Sequence, residues 1–109
     1  MALTSDLPLL SAVHHLRAIA EPTRLRLIHL LAHGELTVTE ICQVLGQSQP
    51  RVSRHLKLLL DGGFVTRLPE GAWVFYRLSD GRERAAPGDL AKMLIERLDE
   101  RDPVMAGDL

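Results

Sequence analysis

Gln49, Arg51, Ser53 and Arg54 fall within six consecutive positions, and each ends in a group that can hydrogen-bond to a nucleic acid. A guanidinium can pair bidentately with O6 and N7 of guanine, and a glutamine amide with N6 and N7 of adenine. His55 and Lys57 follow as phosphate candidates, and Arg67 and Arg77 further on can meet a phosphate backbone or a minor groove. One exposed arginine is ordinarily just a solvated charge. Four polar groups within one and a half helical turns point to a shared role. The local charge agrees. Residues 47–77 carry Arg51, Arg54, Lys57, Arg67 and Arg77 against only Asp61 and Glu70, whereas 78–109 is acidic. The overall net charge of −1 hides this positive middle, and the local face is what matters, because charge is screened within about 10 Å at ordinary salt.

These residues need a scaffold, and the helix punctuation around them supplies one. Asp6 and Pro8 can open a first helix with an apolar stripe of Leu9, Leu10, Val13, Leu16 and Ala20. Pro22 suits the first turn of a second helix carrying Leu25, Ile28, Leu31 and Ala32, with Gly34 marking its end. Thr37-Val38-Thr39-Glu40 matches a capping box, starting a short third helix with Ile41, Val44 and Leu45 that stops at Gly46. Only Gln47 separates Gly46 from the next cap, Ser48. Pro50 then lies in the first turn of a fourth helix, about 48–61, whose buried stripe is Val52, Leu56, Leu59 and Leu60. Two amphipathic helices joined by a tight glycine turn, the second with a basic outer face, make a helix-turn-helix.

After Gly63 the period changes to alternation. Phe64–Leu68 and Ala72–Leu78, separated by Pro69-Glu70-Gly71, predict a β-hairpin wing over about 64–78. Val74, Tyr76 and Leu78 share one face, with Trp73, Phe75 and Arg77 on the other. Trp73 is read as packing cover for the hairpin. A last helix, about 89–101, carries Leu90, Met93, Leu94 and Leu98, and Asp102-Pro103 closes it. Residues 102–109 are expected to be a frayed tail or a cut linker. The fold class is mainly α with a β-hairpin wing: a single winged helix-turn-helix domain over 1–109, with about five helices and one two-stranded hairpin. The outer apolar stripes predict a dimer, because a chain of 109 residues buries only part of its own surface.

Other classes fall away. No apolar run approaches the roughly 20 residues that span a bilayer, and the N-terminus lacks the basic start and apolar stretch of a signal peptide, so the expected compartment is the cytoplasm. The single cysteine, Cys42, excludes an intramolecular disulfide framework. There is no Gly-rich phosphate loop and no Ser/His/Asp grouping, so the chain is not read as an enzyme.

The run from Leu16 to Val65, with EPTRLRL followed by SQPRVSRHLKLL, and the wing EGAWVFYRL resemble the ArsR/SmtB family of bacterial repressors. The resemblance implies a homodimer made by the first and last helices, a recognition helix in the major groove, and release from DNA by an effector. It assigns DNA contact to Gln49, Pro50, Ser53 and Arg54. The implied function is a transcriptional repressor binding an inverted-repeat operator in double-stranded DNA. The alternative is an N-terminal dimerisation module of a larger protein such as a methyltransferase.

Metal sensing, common in that family, finds little here. Arsenic and cadmium sensors place cysteines around the third helix, but here the stretch is ELTVTEIC, with Thr37 and Thr39 in their places and only Cys42 left. One thiolate cannot hold a soft metal. The last helix lacks the histidines of zinc sensors. His29 and His33 have a chelating i,i+4 spacing, but no third ligand is evident, and His14 and His15 are adjacent and diverge. The expectation is no metal and no cofactor. Cys42, beside Ile41 and Val44, reads as a small buried hydrophobe.

Overall fold

Proline, glycine and side-chain caps cut the chain into short helices, and the computed structural model, which describes residues 7–80 and 85–108, shows where each cut falls. Helix α1 runs Leu9–Ile19 with Pro8 as its extended N-cap; the expected cap Asp6 lies outside the described residues. Helix α2, Pro22–Leu31, has its proline in the first turn, and the Glu21 carboxylate accepts from the Arg24 amide at 2.9 Å. Strand β1 is only Leu36–Thr37. Thr37 then caps α3, Val38–Leu45, in a complete capping box with Glu40. The hydrogen bonds donated by the Thr37 amide and hydroxyl hold the Glu40 carboxyl below the usual carboxylate range. Gly46 ends α3 with φ 66°, a left-handed value that glycine adopts without Cβ strain. Helix α4 follows at Gln49–Asp61, with Pro50 in its first turn; Ser48 takes the cap position but its side chain makes no cap hydrogen bond.

The wing is built from β2, Val65–Glu70, and β3, Trp73–Leu78, joined by a two-residue turn whose first member, Gly71, has φ 61°. Pro69, expected in the turn, lies within β2 opposite Val74. It is tolerated because β2 is an edge strand, where a missing N–H costs no ladder bond. The sheet has three strands, in the order β1-β3-β2, rather than the two expected. Leu36 and Thr37 pair with Tyr76 and Phe75, so the residue that caps α3 also stitches the wing to it.

Helix α5 spans Ala85–Arg97, a turn earlier than expected at both ends. The expected frayed tail is instead a sixth helix, α6, Pro103–Gly107. Asp102 caps it through the Val104 amide at 3.0 Å, Pro103 takes the first turn, and Met105 is buried. An Asp-Pro pair can stop one helix and equally start the next.

The core lies where α2, α3 and α4 meet the base of the hairpin. Leu27, Ile28, Ile41, Val52, Leu56, Leu59 and Phe64 are buried, and Ala91 of α5 joins them. Each such leucine or isoleucine contributes about 1.5–3 kcal/mol. Helix α1 docks on the end of α4 at Gly62. A Cβ there would come within 2.9 Å of the Ala18 Cβ, and the His15 ring lies 3.2 Å from the Gly62 carbonyl. Much of the α1 stripe expected to be apolar faces outward in the single chain: Leu9 is 78% and Leu10 80% exposed, and Leu16 and Met93 of α5 are exposed too.

Candidate nucleic-acid interface

Helix α4 sorts its residues by the period of the helix. Val52, Leu56 and Leu59 point into the core, so positions between them must point out. Gln49, Pro50, Arg51, Arg54 and Lys57 are exposed, and Ser53 is half-buried at the edge of the same face. The turn before α4 is fixed from below, where the Gln47 amide donates to the Thr23 hydroxyl at 3.1 Å. The ammonium of Lys57 meets Asp61 one turn on, at 3.1 Å, with both side chains in solvent.

His55 stands apart from this set. Its ring turns back toward α2, with Nδ1 3.2 Å from Arg24 Nη1 and 3.8 Å from Glu21 Oε2. The phosphate candidate of the sequence is half-buried here and ties α4 to α2. Burial lowers its pKa, as do the charges of Arg24, Arg54 and Arg51, while Glu21 works in the opposite direction. Arg24 is the hub of this layer. Its Nε donates to the Ala18 carbonyl at 2.6 Å and its Nη2 to the Arg17 carbonyl at 3.3 Å, at the electronegative end of α1. Sequence reasoning gave Arg24 and Glu21 no role. The signal was present in the EPTR run, where the acid caps the helix and the arginine one turn in can reach back. A cleft of about 250 Å³ lined by Glu21, Arg24, Arg51, Arg54, His55 and Leu58 lies beside this layer.

The wing arginines part company. Arg67 pairs with Tyr76 and Arg77 with Thr66, so the pleat puts the two on opposite faces of the hairpin. Arg67 is exposed, while Arg77 is half-buried and donates through Nη1 to the Leu78 carbonyl at 2.9 Å. Val74, Tyr76 and Leu78 share the other face from Arg77, as expected, and Tyr76 and Leu78 pack on the core. Trp73 at the tip is 61% exposed. With Phe75 it faces Thr37, Thr39 and Glu40 across an open pocket.

This geometry, a buried-outward sorted helix after a tight turn with a three-stranded wing beside it, is that of known regulators. Residues 21–67 match the family described as bacterial regulatory protein, arsR family. The HTH-type transcriptional regulator CmtR of Mycobacterium bovis is 33% identical over 90 residues, covering 83% of this chain and 75% of CmtR. This chain belongs to the ArsR/SmtB family. The arsenical resistance operon repressor of Escherichia coli K12 is 47% identical over 64 residues, 58% of this chain and 55% of that repressor. The match thus spans about half the length of that repressor. Among solved structures, the homodimeric winged helix-turn-helix DNA-binding domain Mb0332 of Mycobacterium bovis superposes with a TM-score of 0.73. It is 29% identical, and the match covers 92% of each chain.

The metal sites known from the family do not fit these residues. The Thr37 hydroxyl is already committed to the capping box, and Thr39 offers no thiolate. Cys42 is half-buried against the core, and α5 holds no histidine. The His29/His33 pair is another matter. The structure adds a carboxylate that spacing along the chain did not bring to this pair: Glu100, beyond α5, lies 3.7 Å from His29 Nε2. Separation along the chain hid it.

Proposed function

We propose that this chain is a sequence-specific DNA-binding repressor that acts as a homodimer. The observation that carries this reading is the face of α4, where Gln49, Arg51 and Arg54 stand exposed opposite the fully buried Val52, Leu56 and Leu59. The N-terminal half of such a helix is the part a helix-turn-helix offers to base edges in the major groove. Gln49, Ser53 and Arg54 are assigned to base edges and adjacent phosphates, Lys57 to phosphate, and Arg67 to the backbone or minor groove flanking the site. Arg51, which lines the cleft with Arg24 and Arg54, adds a phosphate contact. Arg77 supports the strand it lies on, and His55 positions α4 on α2.

Dimerisation through α1 and α5 accounts for Leu9, Leu10, Leu16 and Met93 lying in water in the single chain. Apolar side chains clustered on two helices are stabilised by a two-fold partner. Such a dimer presents two copies of α4 to an inverted repeat, with half-sites one or two helical turns apart. The work is binding rather than catalysis, and no helix among the described residues is long and apolar enough to cross a membrane, which suits a protein acting on cytoplasmic DNA. The relatives, named as repressors and regulators, lend no support to the alternative of a dimerisation module of an enzyme.

The test is selection of genomic fragments with the purified protein, followed by light scattering of the free and bound forms. The expected result is enrichment of an imperfect inverted repeat bound by one dimer. Enrichment of no sequence would overturn the reading.

A further inference from the structure

His29 is a core residue with nothing to hold. It lies in the last turn of α2 with its side chain 1% exposed, and neither ring nitrogen has a hydrogen-bond partner. A buried imidazole in that condition has lost its water on both nitrogens and gained nothing in return, which is rare in folded chains. Its nearest acidic neighbour, Glu100, stands in the segment between α5 and α6, with Oε1 3.7 Å from His29 Nε2, too long for a hydrogen bond. His33 lies one turn beyond His29, and the two rings are 5.1 Å apart between centroids and inclined at 66°.

We propose that His29, His33 and Glu100 form a binding site for a divalent transition-metal ion, Zn²⁺ in the first instance. Their ligand atoms already lie within 4.8 Å of one another. Zinc holds imidazole nitrogens at about 2.0–2.1 Å and carboxylate oxygens at about 2.0–2.2 Å, so the ligands need to draw together by about an ångström. The two that must move, His33 and Glu100, are exposed and free to do so, while His29 is fixed. His33 is also oriented for the task. Its Nδ1 lies 3.0 Å from the His29 carbonyl, so an Nδ1–H donor there leaves the Nε2 lone pair for the metal. Two imidazoles and a carboxylate, with no thiolate, select a borderline ion such as Zn²⁺, Co²⁺ or Ni²⁺ over arsenite or Hg²⁺.

The site is separate from α4 and stands whether or not that helix reads DNA. Its effect is mechanical: the ion fastens the α5–α6 junction onto the end of α2.

The experiment uses the full chain, freed of any affinity tag and stripped with a chelator, titrated with Zn²⁺ by calorimetry and with Co²⁺ by its visible absorption. One ion per chain should bind, with histidine-type cobalt bands and a rise in melting temperature with Zn²⁺. His33→Ala and Glu100→Gln alter exposed groups and leave the fold intact; each should weaken binding about tenfold or more. His29→Leu should abolish binding, with the leucine filling the buried position. Absence of binding at 100 µM Zn²⁺, or binding that His33→Ala and Glu100→Gln leave unchanged, would overturn the site.

Discussion

Arg26 on α2 and Asp108, just past α6, hold each other through two parallel hydrogen bonds of 2.9 and 2.7 Å, 82 residues apart in sequence. The carboxylate side chain is 2% exposed and the guanidinium 20%. The paired carboxylate raises the pKa of Arg26 despite the cost of its partial burial. A bidentate charged pair of this kind is a strong clasp, and it closes α6 over α2 beside the buried Met105. Arg26→Ala leaves a buried carboxylate without its partner and should destabilise the chain by about 1.5–3 kcal/mol. Asp108→Asn should cost less, because the amide oxygen still accepts. Urea unfolding of the two variants checks the order.

Arg54 and Lys57 both face out from α4 but should fail differently. Arg54→Ala should cost roughly 1–3 kcal/mol on the preferred operator and relax base preference. Lys57→Ala should weaken binding to all sequences alike and flatten the salt dependence. The ion pair of Lys57 with Asp61 is in solvent and worth little, so neither change should move the melting temperature much. Binding isotherms at several salt concentrations, on operator and scrambled DNA, separate the two effects.

His55 should make the joint between α2 and α4 sensitive to pH. Its lowered pKa means the folded chain takes up this proton later than the unfolded chain does. The contribution to stability is therefore complete above the unfolded value of about 6.5 and is lost as pH falls through the lower, folded value. Unfolding curves between pH 7.5 and 5.5 should show a steeper loss for the natural chain than for His55→Gln. Equal slopes would mean that the pKa of His55 is not lowered on folding.

The leucines on α1 offer a test of assembly that spares the fold. Leu10→Asp replaces a side chain that is 80% exposed in the single chain, so helicity should be unchanged. In the proposed dimer the same position is interfacial, and a buried unpaired carboxylate there is costly. Sedimentation at micromolar concentration should find a dimer for the natural chain and a monomer for the variant, with operator affinity lost alongside.

The parts of the fold legible in the sequence were those with local signatures. Thr37 and Glu40 sit three apart and satisfy each other, Gly46 and Gly71 take positive φ, and the stripe of Val52, Leu56 and Leu59 fixes which side of α4 is wet. What sequence could not show depends on distant partners. Leu36 and Thr37 are too short a run to read as a strand, and become one only because Tyr76 and Phe75 lie alongside. The tail looked patternless because burial of Met105 shows only in the folded chain and Asp108 finds its partner, Arg26, on α2. His55 was misplaced for the same reason: its period on α4 is intermediate, and Glu21 and Arg24 decide which way it turns. Glu100 reached His29 by the same route.

The absent side chain at Gly62 sets a dimension. Because a methyl there would collide with Ala18, α1 rests close on the foot of α4, and His15 and Arg24 fasten it on either side. In the proposed dimer each reading helix is thus mounted on the same rod that joins the two subunits, with little slack between them. Such a caliper reads distance as well as letters. One extra base pair between half-sites shifts them by about 3.4 Å and turns them by roughly 35°, a displacement that a loose joint could follow and a closely packed one should resist. Operators for this chain should therefore vary more in sequence than in spacing.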